Sequence, residues 1–180
     1  MPGAEEGQGF SDRIFTLPNA LSLFRLFMVP VVVLLLLAGA DFSAAVVFVV
    51  AAITDFLDGR LARLAGPTRL GRILDPLADR LMLSSVAVVL AIRGLLPVWA
   101  VAVLVGRDLL ALLGSLVLGS KISVNRVGKA ATALLMVAVA LVVISPGTLG
   151  EVVFYAGFGL SVVAGLMYAS KVSRIILKRG

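Results

Sequence analysis

The sequence predicts an all-α integral membrane protein of six transmembrane helices. Two observations carry this. Of the 180 residues, 61% are hydrophobic and 14% are charged, against about 45–50% apolar and about 25% charged in soluble domains. Folded in water, such a chain would expose far more apolar surface than a soluble monomer carries. The apolar residues also fall into six runs, each near the roughly 20 residues that a helix needs to cross the hydrocarbon core.

Residues 1–15 are polar and Gly-rich and read as an N-terminal tail with a short interfacial segment. Residues 16–180 hold the membrane domain. The first run spans Leu17–Ala40 and the second Phe42–Leu64. Then come Ile73–Ile92, Leu96–Leu118, Val127–Ile144 and Val152–Ile176. Breakers separate them at Gly39, Gly66-Pro67, Gly94, Gly119-Ser120 and Pro146-Gly147. Spanning segments must satisfy their own backbone, so these runs are helices. The small residues Ala38-Gly39-Ala40 give the first run some likeness to a signal peptide. Its length, and Arg25 inside it rather than before it, argue for a span.

Orientation follows from the 16 basic residues. With both ends inside, every Lys and Arg except Arg25, Arg93 and Arg107 lies on the cytoplasmic side. Arg93 alone is in an outer loop, which is a positive-inside pattern. The net charge of +6 suits an anionic inner leaflet and phosphate-bearing ligands and needs no nucleic acid. The expected location is a bacterial plasma membrane with both termini and the functional site cytoplasmic.

Cysteine and histidine are absent. Disulfides, thiolate nucleophiles and Cys/His zinc sites are thereby excluded, as is the usual neutral-pH base. Acid–base or metal chemistry must use the ten Asp and Glu residues. Four of them, Asp55, Asp58, Asp75 and Asp79, flank the turn at Gly66-Pro67. Asp55 and Asp58 share one helix face, as do Asp75 and Asp79, and an antiparallel pairing of the second and third helices would bring the faces together. Four converging carboxylates repel one another. A carboxylate-only ligand set favours hard cations such as Mg²⁺ or Mn²⁺. Two such ions balance four negative charges and suit a displacement at phosphorus. Gly59 and Gly71 let a bulky ligand approach the backbone. Arg63 carries a guanidinium suited to a diphosphate, and Thr68 offers a hydroxyl. Charges at helix ends are commonly solvated boundary residues, and a single Asp-x-x-Asp would mean little. The full pattern specifies eight positions at fixed spacing.

Those positions, Asp55, Asp58, Gly59, Ala62, Arg63, Gly71, Asp75 and Asp79, match the signature that the CDP-alcohol phosphotransferase family carries, and the chain resembles that family over most of its length. The resemblance implies the CDP-alcohol phosphotransferase fold of six transmembrane helices, assembled as a homodimer. It implies that Asp55, Asp58 and Asp75 ligate two divalent metal ions, and that Asp79 touches a metal and serves as general base. Gly59, Ala62, Arg63, Thr68 and Gly71 would form the nucleotide site. CDP-diacylglycerol would be the donor and CMP the leaving group.

The acceptor must be read from other residues. The opening Leu17-Pro18-Asn19 with Ser22 and Arg25 resembles the branch that makes phosphatidylglycerophosphate or cardiolipin. Asn19 and Arg25 are expected near the acceptor, although Asn19 after Pro18 equally suits a helix N-cap. Arg25 within a span needs a partner. Arg107-Asp108 in the fourth helix reads either as a mutual ion pair or as an acceptor contact, and Lys129 as a further acceptor contact. Enzymes that use glycerol 3-phosphate commonly carry Arg-Glu there and a Gly-Lys-x-Lys-Thr run before the fifth helix. This chain has Arg107-Asp108 and Gly128-Lys129-Ala130-Ala131-Thr132, which resembles cardiolipin synthases. Phosphatidylglycerol is the expected acceptor, with glycerol 3-phosphate as the alternative. A divalent-cation transporter is the reading from another class. Transport sites usually lie at the midplane on broken helices, whereas these carboxylates lie near the inner boundary.

Overall fold

The structure, a computed structural model, describes residues 17–65, 71–118 and 126–177, with side chains at 20–54, 77–113 and 127–170. The described residues form six helices: α1 (Leu17–Leu37), α2 (Asp41–Ala65), α3 (Gly71–Ile92), α4 (Val98–Leu118), α5 (Arg126–Ile144) and α6 (Thr148–Leu177). All-helical architecture is therefore as expected. Among the described residues, Ala20–Leu37, Val127–Ile144 and Thr148–Ser170 are each long and apolar enough to cross a membrane on length and composition alone. The tail expected at 1–15 lies outside the described residues.

Helix ends follow local chemistry. Gly39 and Gly94 have φ of 73° and 74°, the left-handed region that glycine adopts without penalty. Gly39 N–H donates to the Leu36 carbonyl at 3.1 Å and Ala40 N–H to Leu35 at 2.9 Å. Gly94 N–H donates to Ala91 at 3.0 Å and Leu95 N–H to Leu90 at 2.9 Å. Both are Schellman closures, which satisfy the last carbonyls of α1 and α3. That is why α1 stops at Leu37 rather than running to Ala40. Helix α6 begins four residues before the apolar run, because Glu151 N–H donates to the Gly147 carbonyl at 3.3 Å and an acid in the first turn favours a helix start.

Among the described residues, α2 and α3 both lie against α1, with α2 also on α5, and α3 also on α4 and α5. The antiparallel pairing expected around the Gly66-Pro67 turn falls on side chains outside the described residues. The most extensive contact is α5 on α6. Its seam is built on small residues seven apart. A Cβ on Gly150 would stand 2.8 Å from Val142 Cγ2, one on Gly157 3.0 Å from Leu135 Cγ, and one on Gly128 3.8 Å from Ala164 Cβ. Lipid tails are as apolar as leucine, so membrane helices associate through such close packing rather than through water exclusion.

The apolar core is made by Leu36, Phe48, Val86, Leu90, Ala100, Val139, Val142 and Phe154, among others. It lies towards the end that carries the turns at Gly39, Gly94 and Pro146. The buried polar residues Ser22, Arg25 and Ser161 belong to the opposite half. Outward faces carry Phe27, Phe42, Ile92 and Leu110, each at least 68% exposed, as a lipid-facing surface requires. Where α2 begins and α3 ends, Arg93 grips Asp41 through both guanidinium nitrogens, at 2.5 and 2.9 Å.

Candidate active site

Helix α2 runs unbroken through Asp55, Asp58, Gly59, Ala62 and Arg63, and α3 opens at Gly71 and carries Asp75 and Asp79. The side chains at 55–65 and 71–76, and Thr68 within 66–70, lie outside the described residues. The short 66–70 connection holds Ala65 within about 20 Å of Gly71, since extended chain spans at most about 3.3–3.6 Å per residue. The ends of α2 and α3 that bear the four aspartates are thus tethered to each other, while α1 packs against both helices.

Asp79 is the aspartate of the four whose side chain is described. Arg25 Nη1 donates to its carboxylate, joining α1 to α3. Arg25 is 2% exposed and Asp79 28%. A guanidinium about 12 Å along α1 from its start is tolerable in a bundle only when it is paired, and this contact supplies the partner that the sequence demanded. Ser22, one turn before Arg25, is also buried. Asn19 lies inside the first turn of α1, not at a cap position before it. More than a quarter of the Asp79 side chain stays open. Among the described residues no three carboxylates cluster. A donor set of four carboxylates nevertheless fits hard divalent cations by its chemistry.

Arg80 turns the other way from Asp79. Its Nη1 donates to the Asp108 backbone carbonyl of α4 at 2.7 Å. Arg107 Nη1 donates to Asp108 Oδ1 at 2.9 Å, so the two side chains form an ion pair. The Arg107 side chain then runs between α5 and α6. Its Nη2 would be 3.9 Å from a Cβ on Gly128, and its Cγ 3.5 Å from one on Gly165. Glycine at both places leaves room for the guanidinium. Thr132 Oγ1 donates back to the Gly128 carbonyl at 3.0 Å, and Lys129 is exposed.

A polar belt therefore crosses the bundle, from Arg25 through the adjacent Asp79 and Arg80 to Asp108 and Arg107. It brings Arg25 to Asp79 and sets Arg107 beside Gly128. It does not fold the exposed Lys129 into the belt. Sequence reasoning missed Arg80, which it treated as a cytoplasmic surface charge. The available signal was its place directly after Asp79, which sends it to the neighbouring side of α3. It also missed Ser161 and Tyr168 of α6, whose hydroxyl oxygens are buried and lack hydrogen-bond partners among the described residues.

The chain is similar to known proteins over most of its length. The cardiolipin synthase (CMP-forming) of Streptomyces coelicolor is 38% identical over 187 aligned positions, covering 92% of this chain and 86% of that protein. The CDP-diacylglycerol–glycerol-3-phosphate 3-phosphatidyltransferase of Escherichia coli is 34% identical, covering 85% of this chain and 88% of that protein. Its Bacillus subtilis namesake is 30% identical, covering 88% and 95%. The family model described as CDP-alcohol phosphatidyltransferase matches residues 15–163, a stretch that contains all four aspartates and the whole polar belt; the chain belongs to the CDP-alcohol phosphatidyltransferase family.

Proposed function

We propose that this protein transfers the phosphatidyl group of CDP-diacylglycerol to a glycerol hydroxyl of phosphatidylglycerol, releasing CMP and forming cardiolipin. The observation that carries the reading is the aspartate quartet on α2 and α3 inside the family-matched stretch. The acceptor hydroxyl oxygen attacks the phosphatidyl phosphorus. The bond from that phosphorus to the oxygen bridging it to CMP breaks, and the hydroxyl proton passes to the Asp79 carboxylate. Asp55, Asp58, Asp75 and Asp79 would hold two divalent ions, Mg²⁺ or Mn²⁺, which when bound neutralise phosphate oxygens at the entering and leaving positions. Gly59, Ala62, Arg63, Thr68 and Gly71 hold the nucleotide. Arg25 holds the Asp79 carboxylate in position. Arg107 and Lys129, with Asn19 at the start of α1, attract the acceptor phosphate. Residues 16–180 form the catalytic domain, working as a homodimer with the site on the cytoplasmic face.

Phosphatidylglycerol is favoured because Arg107 shares its charge with Asp108 and Ala131 stands where a second lysine would serve a dianionic acceptor. The names of the Bacillus and Escherichia relatives favour glycerol 3-phosphate as the second reading. The test is CMP release by purified protein from CDP-diacylglycerol with Mn²⁺ or Mg²⁺. Each acceptor is offered alone, with Asp79→Asn as control. Cardiolipin from phosphatidylglycerol is the expected product, and product from glycerol 3-phosphate alone reverses the acceptor assignment. Heat protection by CMP that requires the metal separates a transferase from a cation transporter.

A further inference from the structure

Ser161 is fully buried on α6, and neither its Oγ nor the Tyr168 hydroxyl has a hydrogen-bond partner among the described residues. Buried polar groups are nearly always paired, and an exception calls for a reason. At 100° per residue, Ser161, Ala164, Gly165 and Tyr168 fall on one face of α6. Ala164 faces Gly128 of α5, and Gly165 lies against the Arg107 side chain of α4. Ser161 and Tyr168 therefore stand about a turn of helix to either side of Gly165, the residue that lies against Arg107. A cation and two neutral donors, on a face otherwise made of alanine and glycine, describe a seat for phosphate oxygens.

We propose that the Ser161 and Tyr168 hydroxyls are specificity-determining donors which, with Arg107, bind the phosphate of the acceptor. This rests on the transferase reading above, but not on which acceptor is used. The phosphodiester of phosphatidylglycerol and the phosphomonoester of glycerol 3-phosphate present the same oxygens. The acceptor's phosphate oxygens supply the partners that both hydroxyls lack among the described residues. A residue selected for packing would not carry such a group, because alanine or phenylalanine fills the same space without the cost of desolvating a hydroxyl.

The test uses full-length Ser161→Ala and Tyr168→Phe, each of which removes one oxygen and little else. For whichever of the two acceptors the wild type uses, KM for that acceptor rises about five- to tenfold in each variant, the size expected for one lost hydrogen bond. KM for CDP-diacylglycerol changes less than about twofold, within the same measure of a hydrogen bond. The melting temperature in detergent stays level or rises, because an unpaired buried hydroxyl has been removed. An unchanged acceptor KM, or equal changes for both substrates, overturns the proposal. So does a fall in melting temperature without an acceptor effect, which marks a structural role. A wild type that uses neither acceptor removes the transferase reading itself, a result distinct from a failure of the two variants.

Discussion

Arg25, 2% exposed on α1, donates to the carboxylate of Asp79 on α3, and so the proposed general base is held by the most buried cation among the described residues. Breaking a buried pair from one side strands a charge, at a cost of about 3–5 kcal/mol when fully buried. Since Asp79 is partly open, Arg25→Ala should cost about 2–3 kcal/mol, measured as loss of thermal stability in detergent. Replacing both, as Arg25→Met with Asp79→Leu, should recover most of that loss, because an apolar pair carries no stranded charge. Activity should not return with stability. Asp79→Asn should lower CMP release about 10²–10⁴-fold, the usual contribution of a positioned base. A double variant no more stable than Arg25→Ala would show that the pair is not what ties α1 to α3.

At the start of α2 the Arg93 guanidinium beside Asp41 holds that carboxyl below its ordinary value of 3.8, with partial burial opposing. A carboxylate depressed in the folded state contributes stability above its unfolded pKa and loses it as pH falls through the folded value. The Asp41–Arg93 contribution should therefore be constant from neutral pH down to about 4 and fade below 3.8. An exposed pair contributes only about 0.2–1 kcal/mol. Asp41→Asn should lower thermal stability by that small amount at pH 7 and by progressively less as pH falls below 3.8. A difference that persists at the acid end would place the effect in the α2 helix start instead.

Six helices were legible in the sequence because each apolar run has a length the bilayer requires and each gap holds a backbone breaker. The glycines at 39 and 94 mark their turns for a reason seen directly in the positive φ. What was not legible is lateral order. Hydropathy indicates which segments span, not which neighbour each one meets, and nothing in the apolar runs says that α2 and α3 both lie against α1. Arg25 announced that it needed a partner, but its distance in sequence from Asp79 hid which one. Gly150 and Gly157 read as ordinary residues of an apolar run. Only the facing residues of α5 reveal them as contact points.

That seam yields a stability prediction. A Cβ at Gly150 would lie 2.8 Å from Val142 Cγ2 and 3.1 Å from its backbone nitrogen, and one at Gly157 would lie 3.2 Å from the Leu135 nitrogen. Backbone atoms cannot rotate away, so Gly150→Ala and Gly157→Ala should each destabilise by about 1–3 kcal/mol, as overpacked cores do. Gly159, on the same helix with nothing within 4 Å of its Cβ position, serves as the control. Gly159→Ala should be neutral or mildly stabilising through better helix propensity. Equal melting temperatures for all three would mean that α5 and α6 are less closely packed than the seam indicates.

The acceptor prediction turns on Ala131, which is fully buried one turn along α5 from Gly128, the residue beside Arg107. A lysine at 131 would bring a second cation to the interior close to Arg107, whose own charge is shared with Asp108 at 2.9 Å. A dianionic phosphomonoester gains more from that cation than a singly charged phosphodiester does. A hydrogen bond to a charged group contributes about 1.5–3 kcal/mol. Ala131→Lys should therefore raise use of glycerol 3-phosphate relative to phosphatidylglycerol by about tenfold or more. The same change overfills a closed position, so the melting temperature should fall. Product ratios from a mixture of both acceptors, taken at a temperature where the variant remains folded, separate the two effects. A lower melting temperature with an unchanged ratio would mean that acceptor choice is set by groups other than the cation count around Arg107.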